Sequence, residues 1–256
     1  MRKPVVITRP AAQAGPLAAR LARVGCPVHV FPLLEIQPLA DTVALVATLA
    51  RLQDYALVAF VSPNAIDAAF AHIAAWPQAL PAAVVGEGSR QALARHGLTE
   101  ANATIISPLD PGRTDSETLL QELDLPALRG KKVLIVRAET GRELLADQLR
   151  AAGVAVEQVA AYRRSAPVLD AGKLLVLENL ITEPNDWIIT SSEGLRLLRD
   201  QVIALAGEAG WARMCDKTLI VPHYRIEETA RSLGFQQIIL TGSGDDAVYA
   251  AIQSQL

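Results

Sequence analysis

The chain has 256 residues, 51% of them hydrophobic, with 24 Lys and Arg against 27 Asp and Glu and a formal net charge of −3. No apolar run reaches the roughly eighteen residues that a transmembrane helix needs, and the acidic balance argues against a large nucleic-acid surface. An anionic small ligand stays open, because a local arginine cluster can coexist with an acidic total.

The opening MRKPVVITRP goes straight into a strand, without the apolar core of a signal peptide. Cys26 and Cys215 have no CxxC spacing, so both read as reduced thiols of a cytoplasmic protein. Short apolar runs then alternate with helical patterns. Strands are predicted at 5–8, 28–32, 56–61, 82–86, 103–107, 132–137, 154–159, 186–190, 217–222 and 236–240, with amphipathic helices between most of them. Runs such as LVAFV and WIIT are apolar throughout rather than alternating, which predicts parallel sheets buried on both faces and an α/β fold.

The chain repeats itself. VVITRPAAQAGPLAARLARVGCPVHVFPLL (5–34) aligns without a gap on VLIVRAETGRELLADQLRAAGVAVEQVAAY (133–162), so that Arg9 falls on Arg137, Gly25 on Gly153 and Val28 on Val156. LVAFVSPNAIDAAF (57–70) resembles DWIITSSEGLRLL (186–198), with Ser62 over Ser191, and Gly97 falls on Gly234 in the segments after these. The order is a short βαβ unit, a longer (βα)3 unit, then both again. One short and one long unit build a five-stranded doubly wound sheet.

Both short units end in extended tails, PLLEIQPL (32–39) and AAYRRSAPV (160–168). Two such tails suggest paired linkers. The expected arrangement is therefore two doubly wound, flavodoxin-like parallel-sheet domains joined by a two-stranded linker. The outer domain is 1–34 plus 168–256, the inserted domain 40–158, and the linker strands 35–39 and 159–167. Ligands of open α/β sheets bind at the carboxyl ends of the strands, so a cleft between the domains is the expected site.

Familiar machinery is absent from the sequence. There is no GxGxxG after a strand, no GxxxxGK[ST] and no GxSxG. His29, His72, His96 and His223 make no metal-binding spacing. The predicted strands instead end in small hydroxyls, arginines and helix starts: Thr8-Arg9-Pro10, Ser62-Pro63-Asn64, Gly86-Glu87-Gly88-Ser89, Arg137, Thr190-Ser191-Ser192 and Pro222-His223. Ser62 before Pro63 reads as an N-cap with proline at the first helical position. Each serine also fits a plain cap. Acting together, such helix N-termini bind carboxylates or phosphates through backbone N–H groups. Arg9, Arg137, Arg142, Arg163 and Arg164 can add charge-assisted bonds, although an ion pair with Glu143 or Asp147 is a simpler role for Arg142. Tyr162, at the start of the second tail, is a candidate proton donor. The pairs Asp245-Asp246 and Glu227-Glu228 read as caps and solvated helix faces.

These segments, taken in order, resemble the uroporphyrinogen-III synthase family. The resemblance is carried by VVITRP, FPLLEIQP, FVSPNAI, VVGEGS, VLIVRAETGRELLADQLRAAGVAVEQVAAYRR, ITSSEGLRLL and ARSLGFQQIILTGSGDDAVYAAI, which span nearly the whole chain. It implies a bilobal fold and a cofactor-free reaction on hydroxymethylbilane, a linear tetrapyrrole with eight carboxylates. Loss of its terminal hydroxyl leaves an azafulvene. Ring D attacks through its substituted carbon to give a spiro intermediate, which fragments and recloses with ring D inverted. Orientation and electrostatics are the effects such a task needs.

By the same resemblance, Tyr162 falls where the family has a tyrosine thought to help the hydroxyl leave. Ser62, Gly86, Ser89, Ser191 and Ser192 fall on loops that bind product largely through main-chain groups. The chain departs from the family after Val221: many members have Gly and then Thr-Thr, and this chain has PHYRIEE, which leaves two readings open, that His223 and Arg225 substitute for the hydroxyls or that the loop contributes only backbone. The expected protein is a cytoplasmic monomer that contacts no nucleic acid or membrane, with a transient contact to the preceding pathway enzyme left open. Two rival readings remain: a bilobal binding module that closes on an anion without chemistry, and a two-domain glycosyltransferase, whose nucleotide-sugar signals are missing.

Overall fold

The structure is a computed structural model that describes residues 3–109 and 115–254. Residues 1–2, 110–114 and 255–256, which belong to the expected outer and inserted domains, lie outside the described residues. The chain begins with β1 (Val5–Ile7), α1 (Ala11–Arg23), β2 (Val28–Val30) and β3 (Glu35–Pro38). Next come α2 (Val43–Leu49), a 3-10 turn at Leu52–Asp54, β4 (Leu57–Phe60), α3 (Pro63–Phe70), β5 (Ala82–Val84), α4 (Glu87–Arg95), β6 (Ile105–Ile106), α5 (Ser116–Glu122) and α6 (Leu125–Leu128). The second short unit is β7 (Lys132–Ala138), α7 (Leu144–Ala151) and β8 (Ala155–Ser165). The remainder is α8 (Ala171–Thr182), β9 (Asp186–Ile188), α9 (Ser192–Cys215), β10 (Leu219–Val221), α10 (Tyr224–Ser232), β11 (Ile238–Leu240) and α11 (Asp245–Gln253). No helix among the described residues is long and apolar enough to cross a membrane.

The chain divides into two compact units. One runs to Glu35 and resumes at Ser165; the other spans Ile36–Arg164. The first holds a five-stranded sheet in the order β11-β10-β9-β1-β2. Its strands are parallel, with Val5 opposite Val28 on one side and Asp186 on the other. Neighbouring side chains along each strand go to different cores. Val6, Trp187, Ile189, Leu219 and Val221 join one apolar cluster, while Val5, Ile7, Ile188 and Ile220 join another. That alternation means the sheet is covered on both faces, which is why β1 and β10 are apolar at every position.

The second unit has a six-stranded sheet, β3-β8-β7-β4-β5-β6. Val58, Phe60, Ala82, Val84, Leu134 and Val136 pack on one face, and Leu57, Ala59, Ala83, Val133 and Ile135 on the other. In both units the strand order reverses at the middle of the sheet, between β1 and β9 in one and between β7 and β4 in the other. Such switch points open a crevice at the carboxyl ends of the strands. The repeated glycines mark equivalent turns: Gly25 and Gly153, which leave α1 and α7, have φ of 72° and 81°. A side chain at either would be strained there.

The extended tails read from the sequence take their place in this sheet. Residues 35–38 form β3, and the run from 154 onwards continues as a single strand to Ser165 rather than ending at 159. β8 is not regular. Its partners on β7 advance one for one up to Arg137 opposite Ala160, and then Ala138 faces Tyr162. One extra residue in β8 makes a bulge, which shifts the in–out alternation by one position. The packing records that shift, since Val159, Ala161 and Tyr162 all join the same core cluster.

Candidate functional site

In the second unit the switch point is flanked by Ser62, just beyond β4, and Arg137, near the end of β7. Ser62 caps α3: its backbone is extended, its Oγ accepts the Ala65 N–H at 3.1 Å, and Pro63 takes the first helical position. The Tyr162 hydroxyl lies 3.0 Å from the same Oγ. The β8 bulge is what delivers it there. Without the extra residue Tyr162 would alternate to the face opposite Ala161. Tyr162 is buried at 5% exposure, and its carbonyl accepts the Glu139 N–H at 2.9 Å.

Arg137 is not a free cation. Its guanidinium bonds both Glu143 and Gln158, and Gln158 Nε2 closes the ring on Glu143 at 2.6 Å. No local pattern signals this triangle except Gly141: a Cβ there would come within 2.8 Å of Arg137 Nη2. Gln158 and then Arg137 hold the Glu143 carboxyl below its ordinary range. Arg142 pairs bidentately with Glu117 at 2.7 and 3.0 Å, which corrects the expected pairing with Glu143 or Asp147. Helix α7 begins only at Leu144, so Arg142 precedes it, in the loop between β7 and α7. Arg164 Nη2 donates to the Thr140 carbonyl at 3.1 Å, and Arg163 is exposed. Gly86 is the extended N-cap of α4, and Ser89 is buried in that helix's first turn.

In the first unit Thr8 and Arg9 come directly after β1. The Thr8 hydroxyl donates to the Ile188 carbonyl at 2.6 Å, tying the two strands that flank the switch point. Arg9 is paired with Asp245 in the first turn of α11, and Arg20 pairs with Asp246 at 2.6 Å while covering the Tyr249 ring. Asp245 is therefore more than a solvated cap, because it ties α11 to the end of β1, whereas Asp246 is solvated as expected, with its side chain 93% exposed. Ser191 caps α9 by accepting the Gly194 N–H at 3.2 Å. Ser192 donates to the Arg225 carbonyl at 3.3 Å and accepts from Thr229, which stitches α9 to α10. His223 caps α10 with its ring: Nδ1 accepts the Arg225 N–H at 3.2 Å.

The structure thus brings Ser62, Tyr162, Arg137, Gly86 and Ser89 to the carboxyl end of one sheet, and Arg9, Ser191, Ser192 and His223 to that of the other. Arg142 belongs to the loop leading into α7. No cluster of metal-ligating side chains occurs among the described residues.

The chain is similar to known proteins over nearly its whole length. The family model described as uroporphyrinogen-III synthase HemD matches residues 15–241. The chain is 32% identical to a uroporphyrinogen-III synthase of Escherichia coli, over 97% of this chain and 99% of that one. It is 33% identical to the Salmonella typhimurium protein of the same name, at the same coverage. Among solved structures it is similar to the Helicobacter pylori uroporphyrinogen-III synthetase, with a TM-score of 0.64 at 17% identity and full coverage of both chains. It is also similar to a mutant uroporphyrinogen III synthase of Thermus thermophilus, with a TM-score of 0.62 at 13% identity over 98% of each chain.

Proposed function

The chain belongs to the uroporphyrinogen-III synthase family, and we propose that Tyr162 is the proton donor of its reaction, with the strand-end loops of each unit binding the substrate's carboxylates. The family's reaction closes hydroxymethylbilane to uroporphyrinogen III in tetrapyrrole biosynthesis. The observation that carries the assignment is the Tyr162–Ser62 hydroxyl pair at the end of β4.

Chemistry begins as the terminal C–O bond breaks. The Tyr162 hydroxyl gives its proton to the departing hydroxyl, which leaves as water, and the pyrrole nitrogen supplies electrons to the carbon left behind. Ring D attacks that carbon through its substituted position. The spiro intermediate fragments, recloses with ring D inverted, and loses a proton to restore the aromatic pyrrole. That proton balances the one donated at the start, so the net change is loss of one water. Donation by a positioned side chain accounts for roughly 10²–10⁴-fold in rate.

The substrate's carboxylates suit the helix starts at Ser62, Gly86 and Ser89 in one unit and at Ser191, Ser192 and His223 in the other. Arg9, Arg137 and Arg142 contribute positive charge, each shared with a carboxylate of the protein itself. The finer architecture belongs to the same reading: two doubly wound, flavodoxin-like domains on a two-stranded linker, in a cytoplasmic monomer that meets the preceding pathway enzyme at most transiently.

The test is isomer analysis. Hydroxymethylbilane is generated in situ with the protein present, the products are oxidised, and the uroporphyrin isomers are separated. Isomer III from the native chain, with slower formation and more isomer I from the Tyr162 and arginine variants, is the expected result. A native chain that gives only isomer I would favour a binding module without chemistry.

A further inference from the structure

The Ser62–Tyr162 contact carries more than proximity, because hydroxyl valence limits how the protons in it are arranged. Ser62 Oγ has one hydrogen and two lone pairs. One lone pair is committed to the Ala65 N–H, at 3.1 Å. The 3.0 Å contact with Tyr162 therefore has two forms. In the first, Tyr162 donates to Ser62, and the phenolic proton is spent inside the pair. In the second, Ser62 donates to the phenolic oxygen, and the Tyr162 proton is free to point elsewhere. Only the second form can protonate a leaving group.

We propose that Ser62 is the positioning residue of this proton transfer: it is held by the α3 backbone so that its hydroxyl proton faces the Tyr162 oxygen, which aims the Tyr162 proton outward and leaves a donor on the phenolate once that proton has gone. The inference rests on Tyr162 being the acid. As the Tyr162 O–H bond breaks and the proton joins the leaving hydroxyl, negative charge grows on the phenolic oxygen. The Ser62 O–H then becomes a charge-assisted donor, stronger than it was to the neutral phenol. The Ala65 N–H adds to this. It belongs to the open, positive end of an eight-residue helix, and its donation to Ser62 Oγ polarises the Ser62 O–H further. An interaction that strengthens only as charge develops lowers the barrier rather than the substrate's ground-state energy.

The surroundings hold this geometry from both sides. Ser62 is fixed by the cap and by Pro63, while Tyr162 is fixed by the β8 bulge and by the Glu139 N–H on its carbonyl. Neither hydroxyl has to be ordered when substrate arrives, so little entropy is lost in forming the pair.

The experiment is a double-mutant cycle on single-turnover rate and KM, with Ser62→Gly, Tyr162→Phe and the double variant. Glycine removes the hydroxyl but is itself tolerated at a helix N-cap, and a thermal melt of each variant confirms that it is folded. Ser62→Gly is expected to slow the single-turnover rate about tenfold with KM changed less than threefold. In the Tyr162→Phe background it is expected to slow the rate no further, because the group it serves is already gone. Ser62→Thr, which keeps both cap and hydroxyl, is expected to restore the rate lost in Ser62→Gly.

Equal slowing by Ser62→Gly in both backgrounds overturns the proposal and makes Ser62 an independent contact. A change confined to KM also overturns it and assigns Ser62 to carboxylate binding. If Tyr162→Phe itself leaves the rate unchanged, the acid reading fails and takes this inference with it, a result distinguishable from the other two by the Tyr162 variant alone.

Discussion

Arg9 and Arg137 occupy the same place in the two copies of the repeat, at the carboxyl end of β1 and of β7, and both are neutralised by a carboxylate. The partners differ. Arg137 finds Glu143 six residues on and Gln158 on the adjacent strand, within a loop it helps to shape. Arg9 finds Asp245, 236 residues away on α11. The positions equivalent to Glu143 and Gln158 are Gly15 and Val30, so the first unit has nothing local to offer. Each copy of the repeat holds an arginine at the switch point, with its own counter-ion. The hydroxyls diverge in the same way. Ser191 caps α9 as Ser62 caps α3, but Leu34, itself buried, stands where the second unit has Tyr162. Of these two equivalent positions, the second unit's therefore carries the hydroxyl and the first unit's does not.

The largest effect should come from removing that asymmetry. Tyr162→Phe deletes one oxygen and keeps the ring in its core position, so folding should be little affected. Single-turnover rate is expected to fall on the order of 10²-fold, without complete loss, because orientation and carboxylate binding remain. An unchanged rate would remove Tyr162 from the mechanism; complete loss in a folded variant would give it a larger part than proton donation.

The arginines come next. Arg137→Ala removes a nine-tenths buried side chain, its packing and two hydrogen bonds, and should cost about 2 kcal/mol in denaturant unfolding, less than a fully buried pair because Glu143 is half exposed. Arg9→Ala should cost about 1 kcal/mol, as it loses one ion pair where Arg137→Ala loses two hydrogen bonds. Kinetics then separate strut from ligand. If Arg9 binds a substrate carboxylate, Asp245 competes for it, so Asp245→Asn should lower KM about threefold, roughly 0.6 kcal/mol, while Arg9→Ala raises it. Two variants that merely destabilise, with KM unmoved, would reduce Arg9 to a fastener between β1 and α11.

How much can be read from the sequence depends on how local each signal is. The alternation of strand and helix, the apolar strand runs, the turn glycines and the Ser62-Pro63 cap are each written within a few residues, and the match of Arg9 to Arg137 within two short segments; the α/β fold with parallel sheets comes directly from them. The Ser62–Tyr162 pair joins positions 100 residues apart and depends on a bulge that no period-two pattern shows. Arg9–Asp245 spans nearly the whole chain. Nearness in sequence points Arg142 to Glu143 or Asp147, whereas its partner Glu117 lies 25 residues back. In each case the missing information is long-range geometry, not residue chemistry.

The smallest effect tests whether the Arg137 triangle carries charge or merely shape. Gln158 first, and then Arg137, hold the Glu143 carboxyl below the ordinary glutamate value of 4.5. A carboxyl with a lower value folded than unfolded binds fewer protons in the folded state between the two values, so stability rises with pH there. Its contribution is complete above about pH 4.5 and is lost as pH falls through the folded value. Glu143→Gln keeps the shape and a hydrogen-bonding oxygen but has no proton to take up. The native chain should therefore exceed Glu143→Gln by on the order of a few tenths of a kcal/mol at pH 7, a figure discounted because the carboxylate is half exposed. The gap should close as pH falls from about 4.5 through the folded value, with the two unfolding midpoints converging. A gap of constant size across that range would mean that the triangle contributes through packing and neutral hydrogen bonds. Arg137 would then serve to hold the loop before α7, with its charge available to a bound carboxylate.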